Sequence, residues 1–351
     1  MTESSFVAPR TLHEIRQATL VKLEAVVGTN RDVALLQAPT HPNVGDTLIW
    51  LGELAYFKTL GLRVRYVSDL SSYDPVALRR CLPPDGAILI TGGGNFGDLW
   101  YDHQQDREQV AHDFLDRRIV QLPQSVWFES PERAARSNAA LRHHLDLTVL
   151  VRDRASGARM AEQLADVATG YCWDMALGWA PPRFSASARP RQPLVLARVD
   201  TEASSGLAAA VAEGRLGFDA DVVSWRHHGP QDLARRALRA LPLASNRLAP
   251  LRGAAMQPHL RRTIAGIHAL NMRRGLRLFA NRPFAVVDRL HAHVLAGLLG
   301  VPHVVLDNSY GKIGAVHDEY THVLPGAHFA RSIDEAAALA QALSSQAKSA
   351  V

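Results

Sequence analysis

The strongest constraint on the fold is the stretch 286–318, which reads VVDRLHAHVLAGLLGVPHVVLDNSYGKIGAVHD. It contains an apolar strand, a charged turn, a helix of small and apolar residues, a second apolar strand and a Ser-Tyr-Gly-Lys loop. This order is typical of a parallel sheet, whose ligands collect at the carboxyl ends of its strands. Arg289, His291 and Lys312 therefore lie where an anionic substrate is expected, and the loop 308–311 offers backbone N–H groups to a phosphate.

Each of these residues also has an ordinary structural explanation. An Arg after a strand can form a surface ion pair, and a His at the start of a helix can be a cap or a packed core residue. The functional interpretation is favoured because Arg289, His291 and Lys312 recur at successive strand ends. Together they predict a binding site for an anion.

Composition limits the remaining function classes. A chain of 351 residues predicts two domains, and 47% apolar with 21% charged residues is typical of a soluble globular protein. The net charge of +5 favours anionic partners. Nucleic acid is not expected, because the sequence has no zinc-finger spacing, RNP-like motif or lysine-rich tail. Without an apolar run of membrane-spanning length or a signal peptide, we expect a cytoplasmic protein.

The two cysteines, Cys81 and Cys172, are isolated and far apart. They indicate neither a disulfide framework nor a zinc site. We therefore expect no metal.

A turn-forming loop follows the first predicted strand, 33–37. The loop, APTHPNVGD at 38–46, places Asn43, Gly45 and Asp46 at the start of a helix. These residues are candidates for substrate binding, and Asp46 for proton transfer. Ordinary helix capping by Asn43 or Asp46 explains the same pattern.

A glycine-rich loop follows the predicted strand 87–91. Its glycines satisfy GxGxxG at Gly92, Gly94 and Gly97, but no helix opens directly after them and the loop follows the third strand. A nicotinamide or flavin cofactor is therefore not expected, and no other cofactor is predicted. Gly93, Gly94 and Asn95 leave room for a ligand to approach the backbone.

The strand 147–151 ends at Arg152, another cation at a strand's carboxyl end. A salt bridge to Asp153 or Asp174 is an equally good explanation. The unpatterned segment 180–193, rich in Pro, Ser and Ala, predicts a linker, and hence two domains at 1–185 and 186–351.

An Arg-rich segment, 247–282, carries Leu260, Ile264, Ile267 and Asn271 at helical spacing. A solvated helix face over a core stripe explains it. The other interpretation is a surface that meets anionic lipid, which would give peripheral contact with the inner membrane at its cytoplasmic face.

Seven motifs occur in one order along most of the chain. They are NVGD at 43–46, ITGGGNFGDLW at 90–100, LPQS at 122–125 with Gln124, VRD at 151–153 with Ser156, DMAL at 174–177, DRLHAH at 288–293, and LDNSYGK at 306–312 with Asn308 and Ser309. In this combination the chain resembles the polysaccharide pyruvyl transferase family. It departs at Ala292, where the family more often has Gly.

The resemblance implies an α/β fold of two Rossmann-like domains facing each other across a cleft, as in GT-B glycosyltransferases. It implies transfer of pyruvate from phosphoenolpyruvate to sugar hydroxyls of a bacterial surface polysaccharide precursor, giving a cyclic ketal and free phosphate. The acceptor would be a glycan or a lipid-linked oligosaccharide. By position in DRLHAH, Arg289 and His291 would be the donor-site pair, so 186–351 is expected to bind donor and 1–185 acceptor.

The chemistry of the residues agrees with this expectation. Phosphoenolpyruvate carries a carboxylate and a phosphate, which Arg289, Arg152 and Lys312 suit as cations. Ketal formation needs an acid near neutral pH, for which His291 fits, although it could instead bind phosphate as an imidazolium. Asp46 would take the proton from the attacking hydroxyl. The remaining substrate-binding candidates are Asn308, Ser309, Asn43, Gly45, Gly93, Gly94, Asn95 and Gln124.

The sequence leaves three alternative functions. A glycosyltransferase would use the same fold and a similar cationic strand end to bind a nucleotide-sugar diphosphate. A metal-dependent hydrolase is disfavoured because His291 and His293, two apart on a helix, face different directions and no acidic cluster accompanies them. A non-catalytic protein with a lectin-like or regulatory role would keep its function after His291→Ala.

Overall fold

The computed structural model describes residues 10–182, 191–198, 204–225, 229–307 and 311–349. The chain divides into two compact units. The seven-strand unit comprises residues 17–179 and 227–272, and the five-strand unit comprises the described parts of 1–16, 180–226 and 273–351. Each unit is built around one sheet.

Both sheets are parallel throughout the described residues. The strands of the first sheet are β1 Asp32–Leu36, β2 Arg63–Val67, β3 Ala87–Ile90, β4 Gly93–Gly97, β5 Ile119–Trp127, β6 Leu147–Val151 and β7 Thr169–Tyr171. Those of the second are β8 Leu194–Leu196, β9 Asp221–Val222, β10 Ala285–Val287, β11 His303–Leu306 and β12 Ala327–Ala330. Strands β1, β3, β8, β10 and β11 are buried along their whole length, as expected where helices cover both faces.

The two sheets share one strand order. The first runs β2-β1-β3-β5-β6-β7, with β4 beside β5, and the second runs β9-β8-β10-β11-β12. Counted along the chain with β4 set aside, both begin second, first, third, fourth, fifth. The order therefore reverses between β1 and β3 and again between β8 and β10, where open parallel sheets bind their ligands.

The helices, in chain order, are α1 Leu12–Val27, α2 Val44–Thr59, α3 Pro75–Cys81, α4 Tyr101–Asp113, α5 Pro131–Leu141, α6 Arg154–Gln163, α7 Leu207–Ala212, α8 Pro230–Arg247, α9 Gln257–Phe279, α10 Leu290–Leu298, α11 Lys312–Glu319 and α12 Ile333–Ser349. Short 3-10 helices occupy Met175–Gly178, Ala249–Arg252, Ala254–Met256 and Thr321–Val323. Among the helices of the described residues, none combines the length and apolarity needed to span a bilayer.

Two capping boxes, Thr11 with Glu14 and Ser332 with Glu335, begin helices α1 and α12. At α1 the backbone N–H of Glu14 donates to Thr11 Oγ1 (3.2 Å), and Glu14 Oε2 accepts from the Arg10 N–H (2.8 Å). At α12 the N–H of Glu335 donates to Ser332 Oγ in the same way (3.2 Å). Local hydrogen bonding thus fixes where these helices begin.

The units differ from the predicted domains 1–185 and 186–351. The chain changes unit at Ala180, inside the predicted linker, but 227–272 joins the seven-strand unit. Hydrogen bonds explain this grouping, because Gln257 Oε1 accepts from the Val67 N–H (2.8 Å) and Ser245 Oγ donates to the Ser71 carbonyl (3.4 Å).

Candidate active site

The carboxyl end of β1 is held to α4 by Gln37. This residue has φ of 59°, a left-handed conformation that non-glycine residues rarely adopt and that often marks a functional site. Its amide nitrogen donates to the His103 carbonyl (2.9 Å) and to Asp106 Oδ2 (2.9 Å). These contacts fix the Gln37 side chain between β1 and α4.

A buried Arg organises the adjacent polar network. Arg107 donates to Gln121 Oε1 (2.6 Å), Gln104 Oε1 (2.7 Å) and Asn95 Oδ1 (3.0 Å). Its guanidinium also lies 4.6 Å from the Phe96 ring centroid. Desolvation lowers the pKa of Arg107 to about 9, so the side chain stays charged at neutral pH.

Gln124 completes this network at the glycine-rich loop. Its amide nitrogen donates to the Thr91 carbonyl (3.0 Å) and to Asn95 Oδ1 (2.9 Å), while its oxygen accepts from the Asn95 N–H (3.1 Å). Two predicted substrate-binding residues, Asn95 and Gln124, thus lie together and position each other. Their role in binding stays a prediction.

Two glycines of this loop, Gly92 and Gly97, pack closely on β5. A Cβ at Gly97 would lie 1.7 Å from the Trp127 carbonyl oxygen, and Gly97 has φ of 125°. Instead of opening a helix at once, the loop forms β4, and α4 begins only at Tyr101. Gly93 is buried, whereas Gly94 is partly exposed.

A buried carboxyl supports the same loop from α2. Glu53 Oε1 accepts from the Gly92 N–H (2.8 Å), and its side chain is fully buried. Desolvation raises the pKa of Glu53 to about 8, so this carboxyl is largely protonated at neutral pH.

A His–Asp pair occupies the start of α2. Asn43 Oδ1 accepts from the Gly45 N–H (2.8 Å), which makes Asn43 the helix cap that the sequence offered as one alternative. Asn43 Nδ2 also donates to Asp46 Oδ2 (2.7 Å), and His41 Nε2 lies 2.6 Å from the same oxygen. Both members of the pair remain partly accessible to solvent.

The pKa of His41 reflects opposing effects. Desolvation lowers it, but the hydrogen bond and the charge of Asp46 outweigh desolvation and the nearby Arg239 and Arg235, so the pKa of His41 lies above its ordinary value. The pair therefore has the geometry of a base, His41, oriented by a carboxylate, Asp46.

Helix α9 packs against the first turns of α2. His268 Nδ1 lies 3.2 Å from Thr47 Oγ1, and its ring stacks on Trp50 with centroids 5.2 Å apart. Asn271 donates to Thr47 Oγ1 (3.0 Å) and to the His41 carbonyl (3.1 Å). Burial lowers the pKa of His268 to about 3, so its ring is neutral.

Arg152 lies in the interior of the seven-strand unit. Its guanidinium donates to Asp174 Oδ2 (2.7 Å) and Ser125 Oγ (3.0 Å), and both ion-pair side chains are 1% exposed. The structure thus contains the salt bridge to Asp174 that the sequence left as an alternative. Direct binding of substrate by Arg152 stays a prediction.

The second reversal point lies between β8 and β10. Asp288, directly after β10, accepts from the Arg198 N–H (2.7 Å) and from Ser205 Oγ (2.7 Å). Asp288 is buried, and desolvation raises its pKa above the ordinary value. These bonds join the carboxyl ends of the two strands.

Arg289 and His291 lie at the start of the following helix. Arg289 is the residue before α10, His291 is in its first turn, and both side chains are half-buried. The N-terminus of a helix favours anions through its unpaired N–H groups and dipole. An Arg and a His at this position suit an anionic ligand with a carboxylate or a phosphate.

His293 has a different environment from His291. It is fully buried, with Nδ1 2.7 Å from His303 Nε2 and Nε2 2.8 Å from Thr321 Oγ1. Burial lowers the pKa of His293 well below its ordinary value. Within the described ranges, no group of three or more His, Cys, Asp or Glu side chains is placed to hold a metal ion.

The last predicted residues lie around the start of α11. Lys312 is the first residue of this helix, and Gly311 before it has φ of 64°. Asp307 Oδ1 accepts from the Ile313 N–H (3.0 Å) and so joins β11 to α11. Asn308 and Ser309 lie outside the described residues.

The candidates therefore form one group in each unit. Asn43, Gly45, Asp46, Gly93, Gly94, Asn95 and Gln124 lie at the carboxyl edge of the seven-strand sheet, and Arg289, His291 and Lys312 at that of the five-strand sheet. Sequence reasoning missed two histidines, His41 and His268. For His41 a signal existed, because it lies two residues before the NVGD motif.

The fold and these two groups define an α/β protein with parallel sheets and polar sites at their carboxyl edges. Residues 43–310 match the sequence model of the family described as polysaccharide pyruvyl transferase, and the chain belongs to that family. The family assignment suggested by the seven motifs is thereby confirmed.

Individual relatives agree with this family assignment. The chain is 29% identical over 304 residues to Pyruvyl transferase 1 of Schizosaccharomyces pombe, covering 83% of this chain and 70% of that protein. It is 26% identical to the putative pyruvyl transferase EpsO of Bacillus subtilis, over 82% of this chain and 84% of that protein. A crystal structure of a functionally uncharacterized Klebsiella pneumoniae protein has the same fold, with a TM-score of 0.54 and 16% identity over 91% of this chain and 99% of that chain.

Proposed function

We propose that the protein transfers pyruvate from phosphoenolpyruvate to two sugar hydroxyls of a surface polysaccharide precursor, forming a cyclic ketal and releasing phosphate. Membership of the pyruvyl transferase family supports the transferred group and the polysaccharide acceptor. The observation that carries the donor assignment is the pairing of Arg289 and His291 at the N-terminus of α10. A GT-B-like pair of Rossmann-like domains is part of the same proposal.

The donor half of the reaction belongs to the five-strand unit. Arg289 and the first N–H groups of α10 bind the carboxylate or the phosphate of phosphoenolpyruvate. Asp288 anchors the turn, because its two carboxylate oxygens are occupied by Arg198 N–H and Ser205 Oγ. His291 gives a proton to the methylene carbon, and positive charge develops at the carbon that bears the phosphate.

The acceptor half belongs to the seven-strand unit. A sugar hydroxyl attacks the electron-poor carbon, its proton passes to His41, and Asp46 holds the His41 ring and stabilises the resulting imidazolium. Since Nε2 of His41 faces Asp46 at 2.6 Å, Nδ1 is the nitrogen that receives the proton. The predicted base, Asp46, thereby acts through His41. A second hydroxyl then attacks the same carbon and closes the ketal, while phosphate leaves with the bonding electron pair and takes the proton of this hydroxyl.

The fixed amide network at the glycine-rich loop suits a sugar. Asn95 and the backbone of Gly94 are partly exposed, and Gln124 with Arg107 holds Asn95 in place. Neutral amides in fixed positions recognise hydroxyl groups by hydrogen bonding without binding an anion.

The test incubates the purified protein with phosphoenolpyruvate and a panel of glycosides. We expect phosphate release matched by a product heavier than the glycoside by pyruvate less water. Arg289→Ala should abolish both signals, while Arg331→Ala, an exposed Arg of the same unit, should keep them. Glycosyl transfer from a uridine or guanosine diphosphate sugar, with no use of phosphoenolpyruvate, would identify a glycosyltransferase and contradict the proposal.

A further inference from the structure

Helix α8 turns apolar side chains toward solvent. Leu233 is 70% exposed, Leu243 is 48% exposed, and Leu248, directly after the helix, is 56% exposed. Ala237 and Ala240 between them are also exposed, at the spacing of one helix face. We call the residues 233, 236, 237, 240, 243, 247 and 248 the outer face of α8.

The opposite face of α8 contains polar side chains packed into the unit. Arg235 is 8% exposed and donates to Asp232 Oδ1 (2.8 Å), and the buried Ser245 donates to the Pro242 carbonyl (2.6 Å). Leu238 contacts α9, because a Cβ at Gly266 would lie 3.1 Å from its side chain. A surface helix of a soluble domain normally buries its leucines and exposes its arginines. In α8, by contrast, Leu233 and Leu243 are exposed to solvent and Arg235 is buried.

The segment that contains the outer face is strongly positive. Residues 229–272 contain seven Arg, no Lys and one Asp, a net charge of +6, whereas the other 307 residues contain 32 basic and 33 acidic residues, a net charge of −1. Arg236 and Arg247 lie on the outer face itself, and Arg261 and Arg262 of α9 are exposed as well. The single acidic residue, Asp232, is already bound to Arg235 and Arg236.

We propose that the outer face of α8 binds the surface of an anionic lipid bilayer. Exposed leucines between arginines suit the boundary between headgroups and acyl chains, where apolar area and attraction to anionic lipid add together. A second copy of the chain is a poorer occupant, because two outer faces packed together would oppose Arg236 and Arg247 of both copies.

This inference goes beyond the proposed reaction and is tested without it. The protein is floated with vesicles of phosphatidylcholine alone and of phosphatidylcholine mixed with phosphatidylglycerol. We expect wild type to bind the anionic vesicles, to bind the neutral ones far more weakly, and to dissociate as salt rises.

Two sets of variants locate the surface. Leu233→Asp with Leu243→Asp should reduce binding by at least about tenfold, and Arg236→Gln with Arg247→Gln should reduce binding to anionic vesicles only. Leu145→Asp is the matched control, because Leu145 is 98% exposed in the same unit but far from α8 in sequence. Melting curves establish that each variant is folded.

Three results would overturn the proposal. The first is failure of wild type to float with anionic vesicles, and the second is a loss of binding by Leu145→Asp as large as that of the double Leu variant. Light scattering could also show a dimer that Leu233→Asp dissociates, which would assign the outer face to a second copy. Binding of phosphoenolpyruvate is measured in parallel, since its loss would concern the proposed function and leave the lipid inference standing.

Discussion

The two sheets share a strand order but differ in the chemistry at their reversal points. At the seven-strand sheet, neutral amides and one buried Arg hold each other through many side-chain hydrogen bonds. At the five-strand sheet, one buried carboxylate, Asp288, joins two strand ends, and Arg289 and His291 lie at a helix N-terminus. We propose that the same topology supports an acceptor site for hydroxyls at the first sheet and a donor site for anions at the second.

The largest expected effect tests the acceptor side. His41→Gln should lower kcat by about 10² to 10⁴ while leaving phosphoenolpyruvate affinity unchanged, because only the proton acceptor is lost. His112→Gln, a highly exposed His of the same unit, is the control. Equal rates in the two variants would remove His41 from the mechanism.

Replacement of Asp46, the partner of His41, should change the pKa of the His41 ring. Asp46→Asn should lower the pKa of His41 below its ordinary value, because the charge that raises it is lost while desolvation and the nearby Arg239 and Arg235 still lower it. NMR titration of the His41 ring measures this directly. Since a base must be neutral to act, the acidic limb of the rate profile should move to lower pH in the same variant.

Loss of a buried Arg should destabilise the protein more than loss of an exposed Arg. Arg152→Ala should destabilise the protein by about 3 to 5 kcal/mol, because Asp174 would keep an unpaired charge in the interior. Arg79→Ala, which breaks the exposed pair with Asp116, should cost at most about 1 kcal/mol. Urea unfolding measures both, and similar losses would show that Arg152 contributes little to folding.

Glu53 of the seven-strand unit and two buried histidines of the five-strand unit should make stability depend on pH with opposite signs. Glu53 has a folded pKa of about 8, above its value of 4.5 in the unfolded chain, so the native state binds the extra proton and stability falls as pH rises between these values. Glu53→Gln should flatten this fall in urea midpoints measured from pH 5 to 8.5. An unchanged slope would mean that Glu53 ionises normally.

The histidine pair of the five-strand unit acts in the other direction. Burial lowers the pKa of His293, and that of His303 to about 4, against 6.5 in the unfolded chain. Stability is then fully present above pH 6.5 and is lost as pH falls toward 4. His303→Gln should reduce this acid sensitivity in urea midpoints between pH 7 and 4.5, whereas His328→Gln should keep it.

Local sequence patterns predicted the strands and helices around each site. Alternation of strands and helices, the capping boxes and the positions of Arg289, His291 and Asp46 follow from short stretches of sequence. Partners distant in sequence did not follow, such as Thr47 with His268, because only tertiary packing brings them together. The sequence also left Arg152 with two explanations, and its contact with Asp174 depends on how β6 packs.

The grouping of 227–272 was missed for a similar reason. Its helical spacing was readable, but the pairing of Gln257 with Val67 and of Asn271 with Thr47 spans most of the chain. The solvent exposure of the α8 leucines could not be predicted either, since hydrophobic periodicity does not say which face of a helix is exposed.

The most direct test of the central claim is calorimetric titration with phosphoenolpyruvate of wild type, Arg289→Ala and the control Arg331→Ala. The account predicts that wild type and the control bind equally and that Arg289→Ala binds at least about tenfold more weakly, since a charge-assisted bond to the ligand is lost. If wild type does not bind phosphoenolpyruvate, or if Arg289→Ala binds as tightly as wild type, the donor site is not at the start of α10.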